Sequence, residues 1–296
     1  MKLLLIRHAE CGHNLGQAAG NTTGHTLTDN GKTQVQLLAR HLRDRGLRFT
    51  RVFSSDLDRV TMTAEGICQQ QLEGGILTPV QISELREQSM GWLDDTRWRP
   101  GVPASSVSSP DSLRGGQPTY TDEESMASMR SRANNFLENE LLPLVEGPSG
   151  DDEVVAVVAH GMILQVLWVC LADLFNSEDI SLAPGVSQSD FGDYIRPVWS
   201  NTGIMEIAIQ KRPPAAKSVR EATQPSVFLF GTIQLSIQDD SKAPLSGWYL
   251  IVLSVDNTLH LENEQQVGRT RWTVQETVPE SRQDSMDQFC GLTGTA

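Results

Sequence analysis

Two short apolar segments, one at the start of the chain and one past its middle, each run directly into a histidine. The first, Lys2–Ile6, is followed by Arg7 and His8, and the second, Glu153–Ala159, is followed by His160. Their length and their Leu and Val content are typical of buried strands of a parallel sheet. Because open α/β sheets bind ligands at the carboxyl ends of their strands, we expect both imidazoles to lie at one site.

Strand and helix patterns alternate along the first part of the chain. The predicted elements are a helix that opens at Thr28 and ends near Gly46, a strand at 51–54, a helix capped by Ser55 and Asp56, a strand at 76–83, a helix after a capping box at 121–124, a buried helix from Gly161 to about Phe175, and strands at 203–210 and 248–255. This alternation predicts an α/β fold, a three-layer α/β/α sandwich with a mostly parallel central sheet.

Composition divides the chain into one domain with insertions and a tail. We expect a catalytic domain at 1–262, interrupted by a Ser-, Pro- and Gly-rich insertion near 96–119. A second insertion is expected near 211–245, beginning with a basic, Pro-containing stretch and including an extra strand or hairpin at 227–237. The polar residues 263–296 are expected to form a C-terminal tail.

Charge and cysteine content narrow the class of protein. The net charge of −13 disfavours nucleic acid or an anionic membrane as the main partner. The apolar stretch at 154–175 contains His160, Gly161 and Gln165, so we interpret it as a buried strand and helix rather than a membrane span. The cysteines lack metal-binding spacing and are typical of reduced thiols, which favours a cytoplasmic protein; they are Cys11, Cys68, Cys170 and Cys290.

Several side chains with useful chemistry follow the predicted strands or open the predicted helices. They are Arg7, His8, Asn14, Arg59, Glu87 and His160. Arginine has a planar fork that matches the oxygens of a phosphoryl group. A neutral imidazole can attack phosphorus, and a carboxylic acid can protonate the leaving alkoxide. The set therefore favours phosphoryl transfer.

The order and spacing of these residues resemble the motifs of the histidine phosphatase superfamily, whose fold is also called phosphoglycerate-mutase-like. The matching stretches are 7–14 (Arg-His-Gly-Glu-Thr/Ser-x-x-Asn in the family), 27–34 (Leu-Thr-x-x-Gly-x-x-Gln), 54–64 (Ser-Ser-x-Leu-x-Arg-x-x-x-Thr-Ala), 85–91 (Leu-x-Glu-x-x-x-Gly) and 160–161 (His-Gly), with weaker matches at 201–202 and 257–261. This chain departs from the pattern at Ala9 and Cys11. The stretch 89–95 also lacks the mutases' substrate-binding sequence, which disfavours a glycolytic mutase.

The resemblance implies a role for each matching residue. His8 would be the nucleophile that becomes phosphohistidine, and Glu87 the proton donor. The residues implied to hold the phosphoryl oxygens are Arg7, Arg59 and His160, with further hydrogen bonds from Asn14 and the Gly161 N–H. Neither a metal nor an organic cofactor is implied.

We therefore expect a metal-independent phosphatase that hydrolyses a small phosphorylated metabolite, whose identity the sequence leaves open. A phosphoglycerate-mutase-type phosphotransferase and a catalytically weak, phosphate-binding pseudo-enzyme are the alternatives. A metallohydrolase built on His8, His13 and His160 is disfavoured, because two arginines beside the site would repel a cation. A homodimer is compatible with the sequence, and neither nucleic acid nor a membrane is expected as a partner.

Overall fold

The fold is described from a computed structural model, over residues 1–15, 26–71, 77–91, 123–148, 150–191, 197–212 and 243–264. The strands in this part of the chain are β1 (Lys2–Arg7), β2 (Arg51–Ser54), β3 (Val80–Gln81), β4 (Val154–Ala159), β5 (Ile180–Leu182), β6 (Ile204–Lys211) and β7 (Trp248–Asn257). The helices are α1 (Asp29–Asp44), α2 (Asp58–Gln69), α3 (Met126–Phe136), α4 (Leu142–Glu146) and α5 (Gly161–Ala172). A π-helical turn, Leu137–Leu141, joins α3 to α4.

The strands form one sheet in the order β3-β2-β4-β1-β6-β7-β5. Within it, β6 runs antiparallel to both of its neighbours, and the other described strands share one direction. The mostly parallel sheet predicted from the sequence is therefore confirmed. Its centre is β1, which pairs with β4 on one side and β6 on the other.

Helices cover both faces of the sheet, as the alternating side-chain directions of a strand require. On one face, Leu3 and Leu5 belong to a buried cluster with residues of α3 and α5. On the other face, Leu4 and Ile6 pack with residues of α1 and α2. The prediction of a three-layer α/β/α sandwich is confirmed.

Strand register brings the two predicted histidines together. Arg7 lies opposite Ala159 in the parallel β1–β4 pair, so His8 and His160 follow paired strand ends. The last residue of β2, Ser54, pairs with Val158 of β4. The start of α2, which carries Arg59, therefore lies at the same edge.

Local details differ from the sequence predictions at several helix and strand ends. The side chains of Ser55 and Asp56 do not cap α2, whose N-cap is Leu57, because Asp56 instead pairs with Arg86. The cap of α3 is Ser125, whose hydroxyl accepts from the Ser128 N–H, so the capping box predicted at 121–124 is wrong. The strand predicted at 76–83 contracts to β3, and β5 was missed because three residues give too short a pattern.

The two insertions fall mainly outside the described residues, as do the strand or hairpin predicted at 227–237 and nearly all of the tail. The domain boundaries therefore remain predictions. Within the part of the chain that is described, α5 and the other helices are too short or too polar to cross a lipid bilayer.

Candidate active site

His8 lies at the carboxyl end of β1 and is almost fully buried, with 3% of its surface exposed. Its backbone N–H donates to the carbonyl oxygen of Ala159 at 2.9 Å. Its side-chain Nδ1 lies 2.7 Å from its neighbour's carbonyl oxygen, that of Ala9. Because a carbonyl only accepts, Nδ1 carries the proton, and Nε2 keeps its lone pair. The tautomer set by this contact is the one that a nucleophilic imidazole needs.

The stretch that resembles the family motif at 27–34 fixes the loop after His8. The Thr28 hydroxyl donates to the Glu10 carboxylate at 2.6 Å, and the Gln34 side chain accepts from the Glu10 N–H at 2.8 Å. A Cβ at Gly31 would lie only 2.0 Å from the Glu10 carbonyl oxygen. Glycine is therefore required at position 31, because α1 approaches the loop backbone closely.

Arg59 and His160 form a buried pair beside His8. The guanidinium Nη2 of Arg59 donates to Nδ1 of His160 at 3.0 Å, and the opposite ring nitrogen, Nε2, donates to the Ser55 hydroxyl at 3.1 Å. The two histidine rings lie 5.1 Å apart, centroid to centroid, in an edge-to-face arrangement. In this geometry both ring nitrogens of His160 have protein partners, and a direct contact from His160 to a phosphoryl oxygen remains a prediction.

The electrostatics keep His160 neutral. Its complete burial, followed by the positive charge of Arg59, holds the pKa of His160 well below its usual value. Burial also lowers the pKa of Arg59, while Glu87 opposes that shift. An arginine stays protonated in proteins, so the pair is a neutral acceptor and a cation. A buried cation at the carboxyl ends of the strands can bind an oxyanion.

The Glu87 carboxylate lies at the N-terminal end of α5. Its carboxylate accepts from the backbone N–H groups of Met162 and Ile163, each at 3.1 Å, and from that of Gln88 at 3.0 Å. The first turn of a helix leaves such N–H groups unpaired, and they attract a carboxylate. The carboxylate position is therefore set by α5, the helix that directly follows His160.

Gly161 lies between the predicted acid and the first predicted arginine. A Cβ at Gly161 would be 3.8 Å from Nε of Arg7 and 4.0 Å from a carboxylate oxygen of Glu87. The Arg7 guanidinium also donates to the carbonyl oxygen of Trp199. The structure thus brings Arg7, Glu87 and Gly161 together at the edge where His8 and His160 lie.

Asn14 is placed differently from the other site residues. Its side-chain oxygen accepts from the Cys11 N–H at 3.0 Å and from the Asn201 amide at 3.3 Å. These contacts hold the loop that follows His8. A hydrogen bond from Asn14 to phosphate remains a prediction.

The sequence assigned no site role to a group of residues that support the His8 backbone. The Asn201 amide donates to the His8 carbonyl oxygen at 2.9 Å, and the Thr202 N–H donates to that of Arg7 at 3.1 Å. Thr202 has a φ of 58°, a conformation that is rare outside glycine. Asp256 and His260 hold this turn from β7 and the segment after it. The weak motif resemblances at 201–202 and 257–261 were the available signal.

In the described part of the chain, no three His, Cys, Asp or Glu side chains gather as ligands of one metal ion. The cysteines described, Cys11, Cys68 and Cys170, are free thiols in buried positions.

Comparison with known proteins decides the family. The family model of the histidine phosphatase superfamily (branch 1) matches residues 3–183. This chain is a member of that superfamily. The match includes the positions of His8, Arg59, Glu87 and His160, so the superfamily predicted from the motifs is confirmed.

Relatives of this chain include proteins named as a phosphatase and as a probable mutase. Over 233 residues the chain is 28% identical to the fructose-2,6-bisphosphatase TIGAR of Xenopus laevis, covering 74% of this chain and 80% of that protein. Over 175 residues it is 29% identical to the probable phosphoglycerate mutase GpmB of Yersinia pestis, covering 59% and 76%. A mycobacterial glucosyl-3-phosphoglycerate phosphatase structure aligns with a TM-score of 0.47 and 20% identity, covering 71% of this chain and 91% of that one. The family and the two relatives matched by sequence support an enzyme of the phosphatase or mutase type.

Proposed function

We propose that this protein is a metal-independent phosphatase that hydrolyses a small phosphorylated metabolite through a phosphohistidine at His8. The observation that carries the proposal is the contact between His8 Nδ1 and the Ala9 carbonyl oxygen, at 2.7 Å. It assigns the lone pair to Nε2 of a buried imidazole beside the Arg59–His160 pair. A nucleophile and a cation for the phosphoryl oxygens thus lie together at the carboxyl ends of neighbouring strands.

In the first step, Nε2 of His8 attacks phosphorus while the bond from phosphorus to the substrate oxygen breaks. Arg7 and Arg59 hold the equatorial oxygens and stabilise their negative charge. The attacking nitrogen and the leaving oxygen lie in line on opposite sides of phosphorus. The leaving alkoxide takes a proton from the carboxylic acid of Glu87. The products of this step are a free alcohol, phosphohistidine and the Glu87 carboxylate.

In the second step, water replaces the alcohol on the same side. The Glu87 carboxylate accepts a proton from the water as its oxygen bonds to phosphorus, and the bond from phosphorus to Nε2 breaks. Inorganic phosphate leaves, and His8 returns to its starting tautomer. No redox partner or cofactor is needed to balance either step.

Release of inorganic phosphate from a panel of sugar, nucleotide-derived and other small phosphate esters tests this function. We expect at least one ester to be hydrolysed at an unchanged rate after treatment with a metal chelator. The His8→Ala variant should keep its folded circular dichroism spectrum and lose activity by at least about a thousandfold. A well-folded His8→Ala enzyme that stays active would reject the proposal, and transfer to an acceptor alcohol without free phosphate would favour the mutase alternative.

A further inference from the structure

The Arg132 side chain forms hydrogen bonds to the main chain of the segment that carries Glu87. Arg132 is on α3, and its guanidinium donates to main-chain carbonyl oxygens at three positions of that segment, Glu84, Arg86 and Glu87. The last of these contacts is 3.3 Å long. The side chain is only 16% exposed, so these carbonyls would have limited access to replacement water.

Glu124 holds the remaining side of the same guanidinium. Its carboxylate accepts from Nε of Arg132 at 2.8 Å and from Nη2 at 2.9 Å, in the paired geometry that makes arginine–carboxylate contacts strong. Although burial opposes ionisation, the contact with Arg132 leaves the pKa of Glu124 below its usual value. Glu124 also exchanges backbone and side-chain hydrogen bonds with Ser89, two residues after Glu87.

Arg132 differs from the arginines of the site because protein acceptors take up all of its N–H donors. An arginine has five N–H donors, and those of Arg132 meet five acceptors, three carbonyl oxygens and two carboxylate oxygens. No donor is left for a phosphoryl oxygen. Arg132 contacts the main chain of Glu87, whereas α5 contacts its carboxylate.

We propose that the Arg132–Glu124 pair is a positioning device for Glu87, a role that rests on the proposed function of Glu87 as the proton donor. The pair fixes the Glu87 backbone from the α3 side, while the first turn of α5 fixes the carboxylate from the other. Proton transfer in a transition state requires the acid to lie within hydrogen-bond reach of the leaving oxygen. Without the pair, the main chain of residues 84–87 loses three hydrogen bonds, and the Glu87 carboxylate is no longer held in a single position.

Dependence of the rate on the leaving group distinguishes positioning of an acid from general loss of structure. p-Nitrophenolate leaves without a proton, whereas an alkoxide needs one. The quantity to compare is kcat/KM, which reports the chemistry up to departure of the leaving group. The substrates are p-nitrophenyl phosphate and the best alkyl phosphate from the panel.

For Arg132→Gln we expect kcat/KM to fall by about tenfold to a hundredfold on the alkyl phosphate and by less than about threefold on p-nitrophenyl phosphate. The loss on the alkyl phosphate is smaller than the full contribution of a general acid, because Glu87 itself is still present. Arg132→Lys should recover only part of the loss, because an ammonium cannot reproduce the guanidinium fork. It also provides a folded variant if Arg132→Gln is unstable. Glu124→Gln should show the same substrate dependence, with a smaller loss.

Arg130→Gln is the matched control, because Arg130 lies on the same helix as Arg132 and its guanidinium pairs with Asp173 at the end of α5. We expect it to change kcat/KM by less than about threefold on either substrate, as loss of a partly exposed ion pair should. In the double variant Glu87→Gln/Arg132→Gln, the loss should be no greater than in Glu87→Gln alone, since both changes remove the same function.

Equal losses on both substrates, additive losses in the double variant, or the same effect from Arg130→Gln would overturn the positioning role. If Glu87→Gln shows the leaving-group dependence and Arg132→Gln does not, only this inference fails. If Glu87→Gln shows no such dependence, the proton-donor assignment fails with it, while phosphohistidine at His8 is judged separately by trapping.

Discussion

His8 extends from the carboxyl end of β1, a central strand hydrogen-bonded on both sides, whereas Glu87 lies outside the sheet, on a segment that follows a 3-10 turn at Ser83–Leu85. Strand pairing and the turn at Asn201 fix His8, the proposed nucleophile, through its backbone. Side chains and a helix end fix the acid. Loss of the Arg132–Glu124 pair should therefore disturb the region around Glu87 and leave the region around His8 unchanged.

Loss of Arg59 should have the largest effect among changes around the nucleophile. Arg59→Met removes the buried cation at the His8–His160 edge, and we expect kcat to fall by about a hundredfold to a thousandfold on good and poor leaving groups alike. This uniform loss contrasts with the substrate dependence expected for Arg132. Steady-state kinetics on both substrates, with the exposed Arg40→Gln as control, makes the measurement.

A leaving-group dependence in Arg59→Met like that of Glu87→Gln would contradict the division into two regions. Activity within about threefold of the unmodified enzyme would remove Arg59 from the phosphate site.

Glycine substitutions test whether the loop after His8 is held by close packing. Gly31→Ala would place a Cβ 2.0 Å from the Glu10 carbonyl oxygen. We expect overpacking to cost roughly 1–3 kcal/mol of unfolding free energy and to lower kcat of the folded enzyme, because the loop must move. Urea unfolding and initial rates measure the two effects.

Gly46→Ala is the control for a glycine outside the site. Gly46 has a φ of 71° and no atom within 4 Å of a Cβ, so the cost is the backbone strain alone, roughly 1–2 kcal/mol. The folded enzyme should keep its kcat. If both variants lower kcat equally, close packing at Gly31 is not what supports His8.

His260, which contacts Thr202 in the turn beside His8, should make the stability of the protein depend on pH. Burial, followed by the charge of His41, lowers the pKa of His260 to about 4, from 6.5. Below pH 6.5 the unfolded chain takes up a proton that the folded chain does not. The free energy of unfolding should therefore decline as the pH falls from about 6.5 to about 4, by on the order of 3 kcal/mol from this residue.

Urea unfolding of His260→Gln between pH 7 and pH 4 isolates that share. Glutamine can still donate to the Thr202 hydroxyl but does not titrate, so its curve should be flatter than that of the unmodified protein. The remaining slope belongs to other groups, such as His41 and His160, whose pKa values are also lowered. Identical slopes would show that His260 is not a neutral, buried support of the turn.

Arg86→Gln should have the smallest effect and sharpens the account of the acid region. Arg86 is next to Glu87, but its side chain points to an ion pair with Asp56 and is 55% exposed. Such pairs contribute less than about 1 kcal/mol, so stability and kcat/KM should hardly change. A loss as large as that of Arg132→Gln would mean that any disturbance of the segment displaces Glu87.

The sequence indicated the placement of His8 and His160 more fully than the contacts around Glu87, for a physical reason. His8 and His160 follow apolar strands, whose direction and burial are encoded locally, and parallel pairing brings strand ends together. The grip of Arg132 on the Glu87 segment depends on contacts more than forty residues apart in the chain, with no periodic pattern. The Ser55 hydroxyl was interpreted as a helix cap and instead accepts from His160.

Rapid-quench trapping of the phosphoenzyme tests the central claim most directly. Enzyme mixed with a labelled phosphate ester should acquire acid-labile, alkali-stable phosphate within the first turnover. Peptide mapping should place it on His8, and His8→Ala should acquire none. Product formed with no enzyme-bound phosphate at any quench time, or with the label on another residue, would contradict the account.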